Sequence, residues 1–260
     1  MSAKLFWLAL PVGLLAIRGL AADTSTSKTK TSSAGSLPKI DAVLNRYVEA
    51  LGGKAALQKV TSRVVKGEGE SSMLPAPAPW QFFAKAPNKR LSVLTVAGFG
   101  DVLDGFDGMH GWTKNPTMPV SERGGEELAK VRRDADFYRD LKLKTLYPDL
   151  AVTRLAKVGE EEAYVTESKP SPQSLERFYF GRKSGLLLRQ DTESGAPGAR
   201  IRATMYFSDF RAVDGVQVPY SVRIEAANGT DGTPVVFTLK YAEVKQNVPL
   251  EDAKFQKPTE

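Results

Sequence analysis

From residue 61 onward the side chains alternate in polarity with a period of two, in short runs cut by turn residues. In PVVFTLKYA, Val235, Phe237, Leu239 and Tyr241 fall on one face, and Val236, Thr238 and Lys240 on the other. In RIRATMYF, Ile201, Ala203, Met205 and Phe207 oppose Arg200, Arg202, Thr204 and Tyr206. One apolar face and one wet face mark an antiparallel sheet covered on a single side. Strands are expected near 61–69, 80–86, 89–97, 100–106 and 110–114. After a middle insertion they resume near 151–158, 162–168, 174–181, 185–192, 199–208, 216–226 and 233–246. The punctuation PNK, FDG, KSG, ESGAPG, VDG and NGTDG joins neighbours by short turns, which implies a meander rather than βαβ units. A sheet this wide has to curl, split or close.

Two segments are available to cover its apolar face. SLPKIDAVLNRYVEALGG has Ser36 or Leu37 near a cap and Pro38 in the first turn. Ile40, Val43, Leu44, Tyr47, Val48 and Leu51 make one stripe, and Gly52–Gly53 end the helix. KAALQKV adds a short helical turn. The second segment is the polar insertion 122–148, where Leu128, Val131, Phe137 or Tyr138, and Leu141 fall near helical spacing. Its Arg132, Arg133 and Arg139, interleaved with Asp134, Asp136 and Asp140, read as a salt-laced exposed face. The fold class is mainly antiparallel β with helices, a curved sheet with helices packed into its mouth. No internal repeat and no second domain is evident.

The first residues have a different character. MSAK, the apolar run LFWLALPVGLLAI and small residues at Gly19, Ala21 and Ala22 follow the layout of a secretory signal peptide over 1–22, cut near Ala21 or Ala22. The run is shorter than the ~20 residues needed to span a bilayer. Residues 23–36 have too little apolar surface to offset ordering entropy and are expected to be a disordered tether before a single domain at 37–260. The reading places the protein in the periplasm. The net charge of +6 falls to +4 without Lys4 and Arg18, and to +3 without Lys28, Lys30 and Asp23. That is too little for nucleic-acid binding, which needs a concentrated basic face, whereas weak contact with an anionic membrane surface stays open.

Reactive chemistry finds little support. There is no cysteine and one histidine, which removes thiolate metal sites, a lipid-acceptor cysteine, covalent haem and most hydrolase triads. No nucleotide-binding or metalloprotease motif occurs, and no cofactor or metal is expected. In GDVLDGFDGMHGW, Asp101, Asp104, Asp107 and His110 could be read as metal ligands or an acid–base set. On a strand that spacing sends the side chains to both faces, while Asp107–Gly108 is a strong hairpin signal. The stretch reads as a corner with Trp112 returning as an anchor. The acidic GEEE of Glu160, Glu161 and Glu162 reads as a solvated loop, and MLPAPAPW as an extended connector to Trp80.

IDAVLNRYVEALGG followed by Val60 and KGEG, then AKAPNK, FDGMHGW, FYFGRKSGLLLRQD and FSDFRAVDGVQVPYSV, resemble the LolA–LolB-like superfamily of periplasmic lipoprotein carriers and outer-membrane lipoprotein-sorting proteins, over about residues 37–258. The resemblance is nearest to its sorting-protein-like, uncharacterised members. It implies an unclosed β-barrel of about 10–11 strands roofed by the N-terminal helix and the insertion, around a cavity that shields acyl chains. Inward candidates are Trp80, Phe82, Leu91, Val93, Phe178, Phe180, Met205, Phe207, Phe237 and Leu239. The lid-holding arginine of the carriers and the lipid anchor of the receptor branch have no counterpart among these motifs; MLPAPAPW is the nearest apolar protrusion. The function implied is a monomeric, non-enzymatic carrier of lipid or acylated lipoprotein. The alternatives are an envelope scaffold whose barrel is filled by its own side chains, and a hydrolase using the Asp101–His110 region.

Overall fold

The computed structural model describes residues 36–195, 201–227 and 234–259. The signal-peptide reading, nearly all of the tether, Arg200, the NGTDG turn and the end of ESGAPG lie outside the described residues.

Thirteen strands pair in one antiparallel sheet. They are β1 (Ser62–Ser71), β2 (Ala78–Lys85), β3 (Lys89–Val96), β4 (Gly100–Phe106), β5 (Gly111–Asn115) and β6 (Met118–Glu122), then β7 (Ala151–Val158), β8 (Glu161–Ser171), β9 (Ser174–Gly181), β10 (Leu187–Ser194), β11 (Ile201–Val213), β12 (Val216–Ala227) and β13 (Pro234–Gln246). Their order is β6-β5-β4-β3-β2-β1-β13-β12-β11-β10-β9-β8-β7. Two meanders thus run outward from a central β1–β13 pair, and β6 and β7 are the free edges. The chain crosses from one edge to the other through the insertion. The sheet curls without closing. Leu94 of β3, Val102 of β4, Phe178 and Phe180 of β9 and Ile224 of β12 all pack in one core cluster, which a flat sheet of this width could not achieve.

The sequence reading placed no strand at 118–122. The segment NPTMPVSE has proline at 119, which has no N–H for a ladder and is tolerated only at an edge; β6 is an edge. The opposite edge, β7, exposes Arg154 and Lys157, charged side chains that discourage further pairing.

Helix α1 (Ile40–Ala50) has Lys39 as its N-cap, two or three residues later than expected, with Pro38 just outside. Its stripe buries Val43 and Tyr47, and Leu51 follows. Gly52 at φ +116° ends it against the β11–β12 turn, where a Cβ would lie 2.0 Å from the Gly215 carbonyl oxygen, so no other residue fits there. Helix α2 (Lys54–Lys59) follows. The insertion is broken into α3 (Gly125–Ala135), a 3-10 turn at Arg139–Leu141 and α4 (Leu143–Leu146). No helix among the described residues is long and apolar enough to cross a membrane.

Two glycines of the KGEG stretch shape the concave surface. A Cβ on Gly69 would sit 2.4 Å from the Phe237 ring, and one on Gly67 2.1 Å from the Lys240 carbonyl oxygen. The second contact lies at the bulge where the β1–β13 register shifts. Bare backbone here lets β13 and its aromatic side chains lie close on β1.

Candidate functional site: the concave face and its roof

Alternation sends Trp80 and Phe82 of β2, Phe178 and Phe180 of β9, Met205 and Phe207 of β11, and Phe237 and Leu239 of β13 to the concave face, where all eight pack in or against the main core cluster. An aromatic row crosses this surface. The rings of Phe82 and Trp80 stack at 6.0 Å, Trp80 and Tyr241 stack at 5.3 Å, and Tyr220 meets Tyr241 at 6.3 Å. The Trp80 indole N–H donates to the Ser92 hydroxyl at 2.8 Å, so its one polar group is satisfied within the wall.

The members of this surface differ in enclosure. Leu94 and Phe178 are fully buried, yet Phe82, Met205, Phe207, Tyr220 and Tyr241 are only partly buried although they face inward. An inward apolar side chain that retains solvent contact implies that the concave face is open along part of its length. At the end where β1 gives way to β2, a groove of about 430 Å³ is lined by Glu70, Ser71, Ser72, Leu74, Ala76, Pro77, Val236 and Thr238. Within MLPAPAPW, Leu74, Ala78 and Trp80 are buried in the main core, while Pro75, Ala76, Pro77 and Pro79 are exposed.

Leu91 and Val93 do not belong to this surface. Both belong to a second cluster on the opposite face with Val64, Phe83, Trp112 and Phe255. KRLSVLTV is apolar at both parities, because the C-terminal segment covers the outer face with Val248, Leu250 and Phe255. The Trp112 indole N–H donates to the Phe255 carbonyl at 3.1 Å and pins that segment in place.

The roof is more polar than its sequence indicated. Arg133 and Arg139 do not form an exposed face; only Arg132 does. Arg133 donates to the fully buried Glu176 carboxylate at 3.2 Å, and the Tyr147 hydroxyl and Gln190 amide donate to the same group at 2.9 and 3.2 Å. Arg139 donates to the Gln190 side-chain oxygen at 3.1 Å and lies 5.4 Å above the Phe178 ring. Burial works against its charge, but Tyr147, Asp134, Glu176 and Asp140 outweigh it and hold Arg139 above its ordinary pKa. At the other edge, Asp104 of β4 accepts from both Arg90 of β3 and Arg123. The insertion therefore binds both sides of the open seam through buried ion pairs. Aspartates 134 and 136, read as solvated, are engaged by Lys130 and Lys142.

Sequence reasoning missed Arg63 and Gln246. They are Cα partners across β1 and β13 and lie on the concave side, two residues from Val65 and Val244 of the main cluster. The available signal was parity, since Arg63 shares the face of Val65, Gly67 and Gly69 rather than that of Lys66 and Glu68.

FDGMHGW is a corner. The Asp107 carboxylate accepts from the backbone N–H of Met109 and of His110 at 2.8 and 2.7 Å, and Gly108 takes φ +105°. Burial opposes its ionisation, but those N–H groups and the His110 ring hold the carboxyl below the usual carboxylate range. His110 is exposed and lies 3.2 Å from Asp107. Asp104 is committed to its two arginines, and exposed Asp101 accepts from Thr95 on the other face. Of the four residues considered for chemistry, only Asp107 and His110 meet. Among the described residues no three His, Asp or Glu side chains are grouped to hold a metal ion. Glu161 and Glu162 also have local partners: Glu161 accepts from the N–H groups of Lys183 and Ser184, and Glu162 pairs with Arg182.

No protein-family model and no curated protein sequence matches the chain. Solved structures do. A DUF1329 family protein from Desulfovibrio piger superposes with a TM-score of 0.54 at 16% identity, over 84% of this chain and 97% of that one. A LolA superfamily protein from Nitrosomonas europaea gives 0.53 at 15% identity, over 85% and 99%. The chain has a LolA-like fold. A putative outer membrane lipoprotein-sorting protein domain from Vibrio parahaemolyticus gives 0.51 at 12% identity, over 75% and 89%. The LolA-like sheet here has thirteen strands, more than the sequence expectation, with the helical roof in the expected place.

Proposed function

We propose that this protein is an envelope carrier or binding protein, not an enzyme, that holds the acyl chains of a lipid or lipoprotein against its concave face. The observation that supports this reading best is the set of half-buried, inward-facing apolar side chains at Phe82, Met205, Phe207 and Tyr220. Each gains by being covered, and an acyl chain laid along them contributes about 0.8 kcal/mol per methylene removed from water. The fully buried Phe178 and Phe180 form the floor, and the aromatic row through Trp80 and Tyr241 forms one wall. The fold it shares with a LolA superfamily protein and with a putative lipoprotein-sorting domain fits the same reading.

Native mass spectrometry of protein purified without detergent from an envelope fraction tests it. The expected spectrum shows adducts of lipid mass that disappear after organic extraction, and the extracted protein gains thermal stability when acyl lipid is restored. A bare mass together with no thermal response would support the scaffold alternative, in which the fully buried cluster around Leu94 and Phe178 is simply a core.

A further inference from the structure

Other polar side chains on the concave face are partnered, Ser92 by Trp80, Arg90 by Asp104, and Glu176 and Gln190 by roof arginines; Arg63 and Gln246 are not. Residues directly opposite on antiparallel strands carry their side chains on one face, about 5 Å apart at Cβ, so the two form an adjacent polar pair. Neither is satisfied. Gln246 is 9% exposed and both of its amide atoms are enclosed without a hydrogen-bond partner, and the Arg63 Nε is enclosed and unpartnered as well. Arg90, Arg123, Arg133 and Arg139 also enclose an Nε, but each reaches a carboxylate or carboxamide through its other nitrogens. Arg63 has no such contact among the described residues. Asp140 of the roof, the acid whose charge acts on it, already accepts from the Tyr47 hydroxyl at 2.8 Å. A half-buried guanidinium that no carboxylate touches, and a buried carboxamide without partners, each cost stability, and a ligand that matched both would remove that cost.

We infer that Arg63 and Gln246 form an oxyanion subsite beneath the roof, which takes the phosphate or carboxylate head of an amphiphile whose chains run along the aromatic row. Guanidinium and carboxamide N–H groups both donate, as a tetrahedral or planar oxyanion requires, and the carboxamide oxygen is left to accept from a hydroxyl or amide of the same head. The subsite rests on the acyl-binding reading for its tail, but its head group is tested separately.

The experiment is calorimetric titration of the extracted, full protein with three probes below any micelle concentration: dodecyl phosphate, uncharged monolauroylglycerol, and inorganic phosphate. The parent is expected to bind dodecyl phosphate ~10- to 100-fold more tightly than monolauroylglycerol, the worth of one or two charge-assisted hydrogen bonds. Arg63→Met is expected to abolish that preference while monolauroylglycerol binding stays the same. Gln246→Leu, which keeps the charge, is expected to reduce the preference and to melt no lower than the parent, and it carries the test if Arg63→Met does not fold. Equal binding of both lipids by parent and variants would overturn the subsite, leaving those polar atoms to water, while the acyl reading stood. Inorganic phosphate binding that depends on Arg63, without binding of either lipid, would support an anion site and overturn the acyl reading.

Discussion

The Tyr47 hydroxyl of α1 donates to the Asp140 carboxylate of the insertion at 2.8 Å, across 93 residues of sequence. This bond joins the two halves of the roof, together with the exposed Lys144–Asp41 ion pair at 2.6 Å and shared apolar packing. Tyr47 also packs its ring 4.9 Å from Phe180 on the concave floor, so Tyr47→Phe removes the tie and keeps the packing. The expected loss is about 1 kcal/mol, with faster amide exchange in α1 and at 139–146 and no change in the outer strands. Unchanged exchange in both segments would show that the Lys144–Asp41 pair and apolar packing hold the halves together without this bond.

Glu176 is the hub of the other roof contact. It is fully buried and accepts from Arg133, Tyr147 and Gln190. Glu176→Ala leaves a buried guanidinium without its partner, and denaturant unfolding should show a loss of about 3–5 kcal/mol. A loss under 1 kcal/mol would mean that the seam is held by apolar packing and that the ion pairs are incidental.

Gly105 lies under the Trp112 indole, where a Cβ would fall 2.2 Å from the ring. Gly105→Ala is expected to destabilise by ~1–3 kcal/mol through overpacking and to shift Trp112 emission as the ring is pushed off its bond to Phe255. Gly124, whose added Cβ meets nothing and whose φ is −130°, is the control for the general cost of adding a side chain at a glycine.

Alkaline titration followed by tyrosinate absorbance should reveal tyrosines that ionise late. Burial pushes Tyr241 up to about 12, with Arg63 opposing. Tyr47 and Tyr147 are raised by burial, and then by Asp140 for Tyr47 and by Asp134 and Glu176 for Tyr147. A pKa raised on folding contributes stability that is complete below the unfolded value of ~10 and is lost as pH rises through the folded value. Stability is therefore expected to fall from about pH 10 upward, and these tyrosines to titrate together with unfolding. If every tyrosine titrated near 10 while the protein stayed folded, the burial of Tyr47 and Tyr147 at the roof would be wrong.

The sequence was most readable where one physical period decided the structure. A side-chain period of two is unambiguous in β11 and β13, where one parity is apolar and the other wet, and the stripe from Ile40 to Leu51 is equally plain in α1. It failed where both parities are apolar, as at Leu91, Val93 and Leu94, because the segment ending at Phe255 creates a second core on the outer face. The charges of the insertion were misread for a different reason. Arg133 and Arg139 look solvated along their own helix, and the partners that bury them, Glu176 and Gln190, lie 43 and 51 residues away. Arg63 was hidden in the doublet Val64–Val65, whose two members face opposite clusters.

Two tryptophans stand on opposite faces of the sheet, Trp80 in the concave wall and Trp112 in the outer cluster, and this arrangement allows a direct test. In a chain carrying Trp7→Phe, quenching by a brominated fatty acid is measured in Trp112→Phe, which keeps Trp80, and in Trp80→Phe, which keeps Trp112. Saturable quenching of Trp80 with Trp112 emission untouched is the result predicted for an acyl chain on the concave face. Equal quenching of the two, or none of Trp80 at saturating fatty acid, would contradict it.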